Sequence, residues 1–216
     1  MSKKEILKRY LLFILGLFSM ALGIALMVQA RLGTSPISSI PYVFSLKFTF
    51  VSLGILTFIW NMILILGQII ILGRKFEKYQ LLQIPLSVIF GVFVDVAKKM
   101  VSIIIPQTYC GSIFTLACGI MFLALGVSFT VIADVVLNSG EGFVKAVSIR
   151  TGFDFGSMKV IFDVSLVILS IVIGILFFKT IKGVREGTVI AAVLSGFIIK
   201  SLNKVLTDGL NKWIAI

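Results

Sequence analysis

The chain has 216 residues, of which 59% are hydrophobic and only 13% charged, and its mean hydropathy is +1.15. A soluble domain carries about 25% charged residues, so the composition excludes a soluble globular protein and indicates a multi-pass membrane protein whose first partner is membrane lipid. The formal net charge is +11, but the basic residues punctuate apolar runs instead of forming a patch. They read as topology signals, and no nucleic-acid partner is expected.

Histidine is absent, which removes imidazole relays, histidine-ligated metals and Ser–His catalysis. Cys110 and Cys118 lack metal-ligand spacing and read as small buried hydrophobes. No metal, cofactor or catalytic set is expected, and an enzyme is the least favoured class. Lys3, Lys4, Lys8 and Arg9 precede an apolar run from Tyr10 to Ala30, longer than a signal-peptide core. It reads as a retained first span.

Apolar runs near 10–30, 51–73, 79–97, 111–134, 156–178 and 187–206 each approach the ~20 residues a helix needs to cross hydrocarbon. The third is the weakest, because apolar character resumes after Asp95, Lys98 and Lys99 in 100–105, read as lying along the interface. Beyond Leu202, the spacing of Val205, Leu206, Leu210 and Trp213 opposite Lys204, Asp208 and Lys212 predicts an interfacial helix. The Lys/Arg bias favours cytoplasmic termini.

Two stretches interrupt this pattern. The first runs from Arg31 through Gly33, Thr34, Ser35 and Pro36 to Pro41, directly after the first span. Ser35 before Pro36 reads as a helix N-cap with proline at the first helical position. Pro41 is expected to break a helix begun at Pro36, leaving a short, bent segment with unpaired backbone groups. The second stretch, Asn138, Ser139, Gly140, Glu141 and Gly142, follows the fourth span. Glu141 falls in the first turn of a short helix that runs to about Arg150, where Gly152 supplies a stop. Both stretches read either as surface turns or as broken segments around a transporter site.

The halves resemble each other. Residues 16–30 match 119–133 at a shift of about 103, while 48–52 match 153–157 and 90–92 match 195–197 at a shift of about 105. The expectation is one membrane domain made of two repeats, 1–108 and 109–216, each with three spans and one short broken or re-entrant segment. An odd number of spans inverts one copy against the other.

Asp163 lies well inside the fifth span, where an ionised group is a functional candidate by default. Asn61 sits midway along the second span. Arg31 and Asp134 are equivalent and opposite in sign, as are Asp95 and Lys200; they read as gate or latch ion pairs, or as markers of span ends near water.

The basic start, the glycine-rich first span, Gly33-Thr34-Ser35-Pro36 and Pro41 resemble the YczE/YyaS/YitT group of bacterial integral membrane proteins over essentially the whole chain. The resemblance implies a bacterial inner-membrane location and carries over no catalytic residues. From the residues, the leading function is a secondary transporter of a small polar solute or ion, with its site between the repeats. Its residues are Arg31, Gly33, Thr34, Ser35, Pro36, Asn61, Asn138, Ser139, Gly140, Glu141 and Asp163. The alternatives are the substrate-binding membrane subunit of an energy-coupling factor importer, to which Ala21 and Ala25 would contribute, and a non-transport scaffold or assembly factor. Assembly into a homo-oligomer stays open.

Overall fold

Six apolar runs and two interruptions become eight α-helices among the described residues, 2–215 of the computed structural model. They are α1 (Lys3–Ala30), α2 (Pro36–Lys47), α3 (Leu53–Leu72), α4 (Gln83–Met100), α5 (Tyr109–Ala133), α6 (Ser139–Thr151), α7 (Phe155–Phe178) and α8 (Glu186–Ala215). All but the short α2 and α6 are long and apolar enough to cross a bilayer, and no strand forms among the described residues. This is the all-α membrane fold expected from the sequence.

Local chemistry fixes the helix ends. The side chains of Ser2, Ser52, Thr108 and Asp154 accept backbone N–H bonds at the starts of α1, α3, α5 and α7. At the other end, α1, α5 and α7 stop at Arg31, Asp134 and Lys179, all with left-handed backbone. Gly152 ends α6 the same way, with its N–H bonded to the Ser148 carbonyl at 2.9 Å.

α1 and α5 form the centre. Within their most apolar stretches 61% and 56% of residues are buried inside the protein, against 17% for α7 and 6% for α8. The two central helices run antiparallel. A Cβ on Gly126 would lie 2.5 Å from the Gly16 carbonyl oxygen, and one on Gly23 would lie 2.7 Å from that of Gly119. Small residues let two membrane helices approach until backbone meets backbone, which matters because lipid tails remove any hydrophobic drive to pair. Around this pair, α4 packs on α1 and α3, α8 on α5, α2 on α7, and α6 on α3.

Two local expectations are corrected. Pro41 sits inside α2, which runs unbroken to Lys47. Only the bond to the Ile37 carbonyl is forfeited so near the N-terminus, and burial of Pro41 against its neighbours outweighs that loss. The tail beyond Leu202 is no separate interfacial helix but the last turns of a 30-residue α8. Its tip is anchored on α1: Lys8 donates to the Trp213 carbonyl at 2.8 Å and lies over the indole ring, while Ile214 is buried. Within residues 100–105, α4 ends at Met100 and the 3-10 turn Val101–Ile103 follows, with Val101 buried and Ile103 exposed.

Candidate functional site

The two interruptions meet. α2 starts at Pro36 and α6 at Ser139, and Ile37 on the first turn of α2 packs directly on Gly140. Neither start carries a side-chain cap. Ser35 spends its hydroxyl on Ser38 Oγ at 3.0 Å, and Asn138 donates its amide to Thr130 Oγ1 at 3.3 Å and to Met20 Sδ at 3.6 Å. At α2 Pro36 brings no N–H and the Ser38 N–H donates to the Ser35 carbonyl at 3.0 Å, so the first-turn N–H groups without a side-chain cap belong mainly to α6, while each start carries about half a positive charge.

Beside this junction lies a chamber of about 60 Å³. At ~10–15 Å³ per water it holds roughly four to six, so it takes a small solute or one end of a longer one. Its walls are mostly apolar, with Phe13, Met20 and Phe90 among them. Four kinds of polar group converge on it. Trp60 Nε1 is buried without a hydrogen-bond partner. Asn61 accepts from Ser139 Oγ at 2.8 Å, leaving its amino group to donate. Ser87 on α4 adds a hydroxyl, and Glu141 adds the one carboxylate, with no lysine or arginine in the lining.

Beside the chamber lies a vestibule of about 390 Å³, whose lining shares Val136, Leu137, Asn138 and Glu141 with it and adds Tyr79, Asp134 and Lys145. Asp134 follows Ala133, whose carbonyl accepts from Arg9 at 3.0 Å, so the vestibule lies at the end of the molecule that carries both termini. At the opposite end the first interruption is sealed. Gly187 N–H donates to the Leu32 carbonyl at 2.8 Å, Thr34 N–H to Thr188 Oγ1 at 3.2 Å, and Arg185 Nη1 to the Arg31 carbonyl at 3.2 Å.

Comparison with known proteins bears on this arrangement. A family of unknown function, DUF6198, matches residues 7–204. The chain belongs to that family. It is also 27% identical over 204 residues to the uncharacterized membrane protein YczE of Bacillus subtilis (strain 168), covering 92% of this chain and 86% of that protein. No solved structure matches. The chamber and vestibule thus describe a DUF6198 member whose relative is likewise a membrane protein.

Of the residues the sequence singled out in this DUF6198 chain, Asn61, Asn138, Ser139, Gly140 and Glu141 come together at the chamber. Ser35 and Pro36 are buried behind it as the start of α2. Gly33 and Thr34 face the other way: Gly33 has φ 114° and abuts Thr188 and Arg185, and Thr34 is fully buried against α8. Arg31 is exposed at the sealed end.

The suggested latch pairs do not form. Arg31 and Asp134 lie at opposite ends, Lys200 is exposed on α8, and Asp95 instead accepts from Ser52 Oγ and, at 2.8 Å, from the Gly54 N–H. Asp163 lies outside the chamber lining and pairs with Lys159, one turn earlier on α7, at 2.7 Å. Asp163→Asn is expected to lower the melting temperature by a few degrees and to leave ligand binding at the chamber intact. Replacing both residues by apolar ones should restore stability, since a lone charge costs more than no pair. A D163N protein that melts normally would mean that Lys159 reaches water unaided.

Sequence reasoning missed a cluster of buried amides that reaches the chamber through Gln83. Gln68 and Gln83 exchange bonds at 3.0 and 3.1 Å, Gln83 also donates to Gln80 Oε1 at 2.7 Å, and Gln68 donates to the Ser139 carbonyl at 3.1 Å. All three glutamines are buried. The available signal was Gln80, Gln83 and Ser87 at helical spacing, on the same stripe as Phe90.

Proposed function

We propose that this chain is a secondary carrier that moves a small solute, polar at one end, through the chamber between α2 and α6. The observation that carries the reading is a chamber at two helix starts without side-chain caps, flanked by a vestibule towards one end of the molecule, while hydrogen bonds seal the first interruption at the other. Discontinuous segments that aim helix starts at a central cavity are how carriers meet polar solutes without water. Donors from Trp60, Asn61 and Ser87 opposite a single carboxylate, Glu141, suit a neutral, zwitterionic or singly charged molecule over a multiply charged anion.

The same reading makes the halves inverted repeats. Exchanging residues at the shift of 103 turns the Gly16–Gly126 contact into the Gly119–Gly23 contact, and both occur. The exchange likewise turns the packing of α2 on α7 into that of α6 on α3, and of α4 on α1 into that of α8 on α5. We place the chain in a bacterial inner membrane with both termini cytoplasmic, because Lys3, Lys4, Lys8, Arg74, Lys75, Lys145 and Lys212 crowd the terminus-bearing end. On this reading the protein is a carrier and not an enzyme. The importer-subunit alternative is weakened by Ala21 and Ala25, which are buried within the α1 core and unavailable to an ATPase partner.

Purified protein screened against small polar solutes by thermal shift should yield a stabilising ligand; at 100 times Kd the gain is about 2.7 kcal/mol. Asn61→Leu should erase that shift, and liposomes bearing the parent protein should accumulate the same solute. A ligand whose shift survives Asn61→Leu, or which no liposome takes up, would overturn the reading.

A further inference from the structure

We infer that residues 183–188, at the start of α8, form the closed gate of the site on the face away from the termini. The vestibule between residues 78–83 and 134–138 is the same gate of the other half, captured open. This rests on the carrier reading above and adds which elements alternate.

The inference comes from comparing equivalent contacts. At a shift of 105, residues 183–188 correspond to 78–83, and at 103 the interruption at 31–35 corresponds to 134–138. On the sealed side three hydrogen bonds join the two segments: Gly187 to Leu32, Thr188 to Thr34, and Arg185 to Arg31. Gly183 lies against Val43, and Val184 and Thr188 are buried. None of the three bonds has its counterpart on the open side among the described residues. There Gln83, the counterpart of Thr188, turns its amide to Gln68 and Gln80, and Tyr79 stands across the vestibule from Asp134.

The helices behind the gates differ in the matching sense. On the open side α4 is held to α3, through Asp95 on Ser52 and Gly54 and through Gly91, whose Cβ would sit 2.8 Å from the Gly54 carbonyl oxygen. On the sealed side α8 leans instead on the first interruption and on α2, and a Cβ on Gly196, the counterpart of Gly91, would meet nothing within 4 Å. Each outer helix thus has two seats, one on its neighbouring span and one on the interruption. α4 occupies the first and α8 the second. Rocking α8 off residues 31–35 would open the chamber to the far face, and rocking α4 onto residues 134–138 would close the near one.

Thiol labelling in sealed vesicles of both orientations tests this. The background carries Cys110→Ser and Cys118→Ala, with Ser87→Cys in the chamber as reporter. A membrane-impermeant maleimide should react with the reporter from the terminus-bearing face and hardly at all from the other. Adding Arg185→Ala and Thr188→Val should raise the rate from the far face about tenfold, the shift two lost hydrogen bonds produce in a two-state balance, and lower the near-face rate. A disulfide between Thr34→Cys and Thr188→Cys should hold far-face labelling at zero. Far-face labelling unchanged by the two gate substitutions in normally melting protein, or present with the disulfide closed, overturns the gate. Should the double variant fold poorly, Thr188→Val alone and the disulfide decide. Solute uptake undiminished with the disulfide closed would sink the gate and leave the carrier standing. Labelling that alternates as described without uptake of any solute would leave the gate and remove the carrier.

Discussion

Gly126→Val is expected to leave little folded protein in the membrane. Even a single methyl group at position 126 would sit 2.5 Å from the Gly16 carbonyl oxygen and 2.5 Å from the Met20 nitrogen. Overpacking ordinarily costs about 1–3 kcal/mol because side chains shift to absorb it; here the atoms in the way are backbone of the central helix and have nowhere to go. The α1–α5 pair would part, and with it the seats of α4 on α1 and of α8 on α5. Gly209→Ala is the matched control. It lies on α8 with nothing within 4 Å of its Cβ, and alanine should stabilise that helix by roughly 0.5–1 kcal/mol. Yield of monodisperse protein after detergent extraction reads both. Comparable yields for the two variants would show that α1 and α5 can separate without loss of the fold.

The second large effect belongs to the buried amides. Gln68→Leu removes two bonds to Gln83, leaving one carbonyl and one amino hydrogen of that amide unpaired, and takes away the bond to the Ser139 carbonyl, while Gln83→Leu strands the side-chain oxygens of Gln68 and Gln80. An unsatisfied buried polar group costs about 1–3 kcal/mol, so each single variant should lose at least that. The double variant should lose less than the sum, because removing both partners leaves fewer orphans. Melting of the four proteins gives the coupling, and a coupling near zero would mean that water replaces the missing amides. The same substitutions should weaken ligand binding at the chamber, since Gln83 lines it and Gln68 fixes the first residue of α6.

What was legible in the sequence follows from how local each cause is. The six spans were readable because crossing hydrocarbon demands a run of apolar residues, and Gly152 marked the end of α6 because glycine readily takes the left-handed backbone that often closes a helix. Asn61, Asn138, Ser139, Gly140 and Glu141 were found because polar groups at depth are conspicuous in an apolar chain. Pro41 misled, since the one bond it forfeits inside α2 does not stop the helix where the residue is buried against its neighbours. Gly33 and Thr34 were attached to the chamber by their neighbours in sequence, whereas the chain turns at Arg31 and delivers them to α8. The latch pairs failed because similarity of sequence position says nothing of contact: Arg31 and Asp134 lie at opposite ends, and Asp95 is taken by Ser52 and Gly54. The glutamine cluster was invisible as a unit, since Gln68, Gln80 and Gln83 meet only once α3 and α4 have packed.

The antiparallel seam of α1 and α5 also sets a timetable for assembly. Between the end of α1 at Ala30 and the end of α5 at Ala133 lie 103 residues of synthesis. At about 5–20 residues per second the ribosome needs roughly 5–20 s to deliver them. For that interval the glycine face of α1 has no mate, and α4, which reaches the bilayer earlier, is the one long helix able to shield it. The nascent chain therefore waits as a half-built bundle until its largest packing step closes the first helix against the fourth span to emerge, with α7 and α8 still to follow.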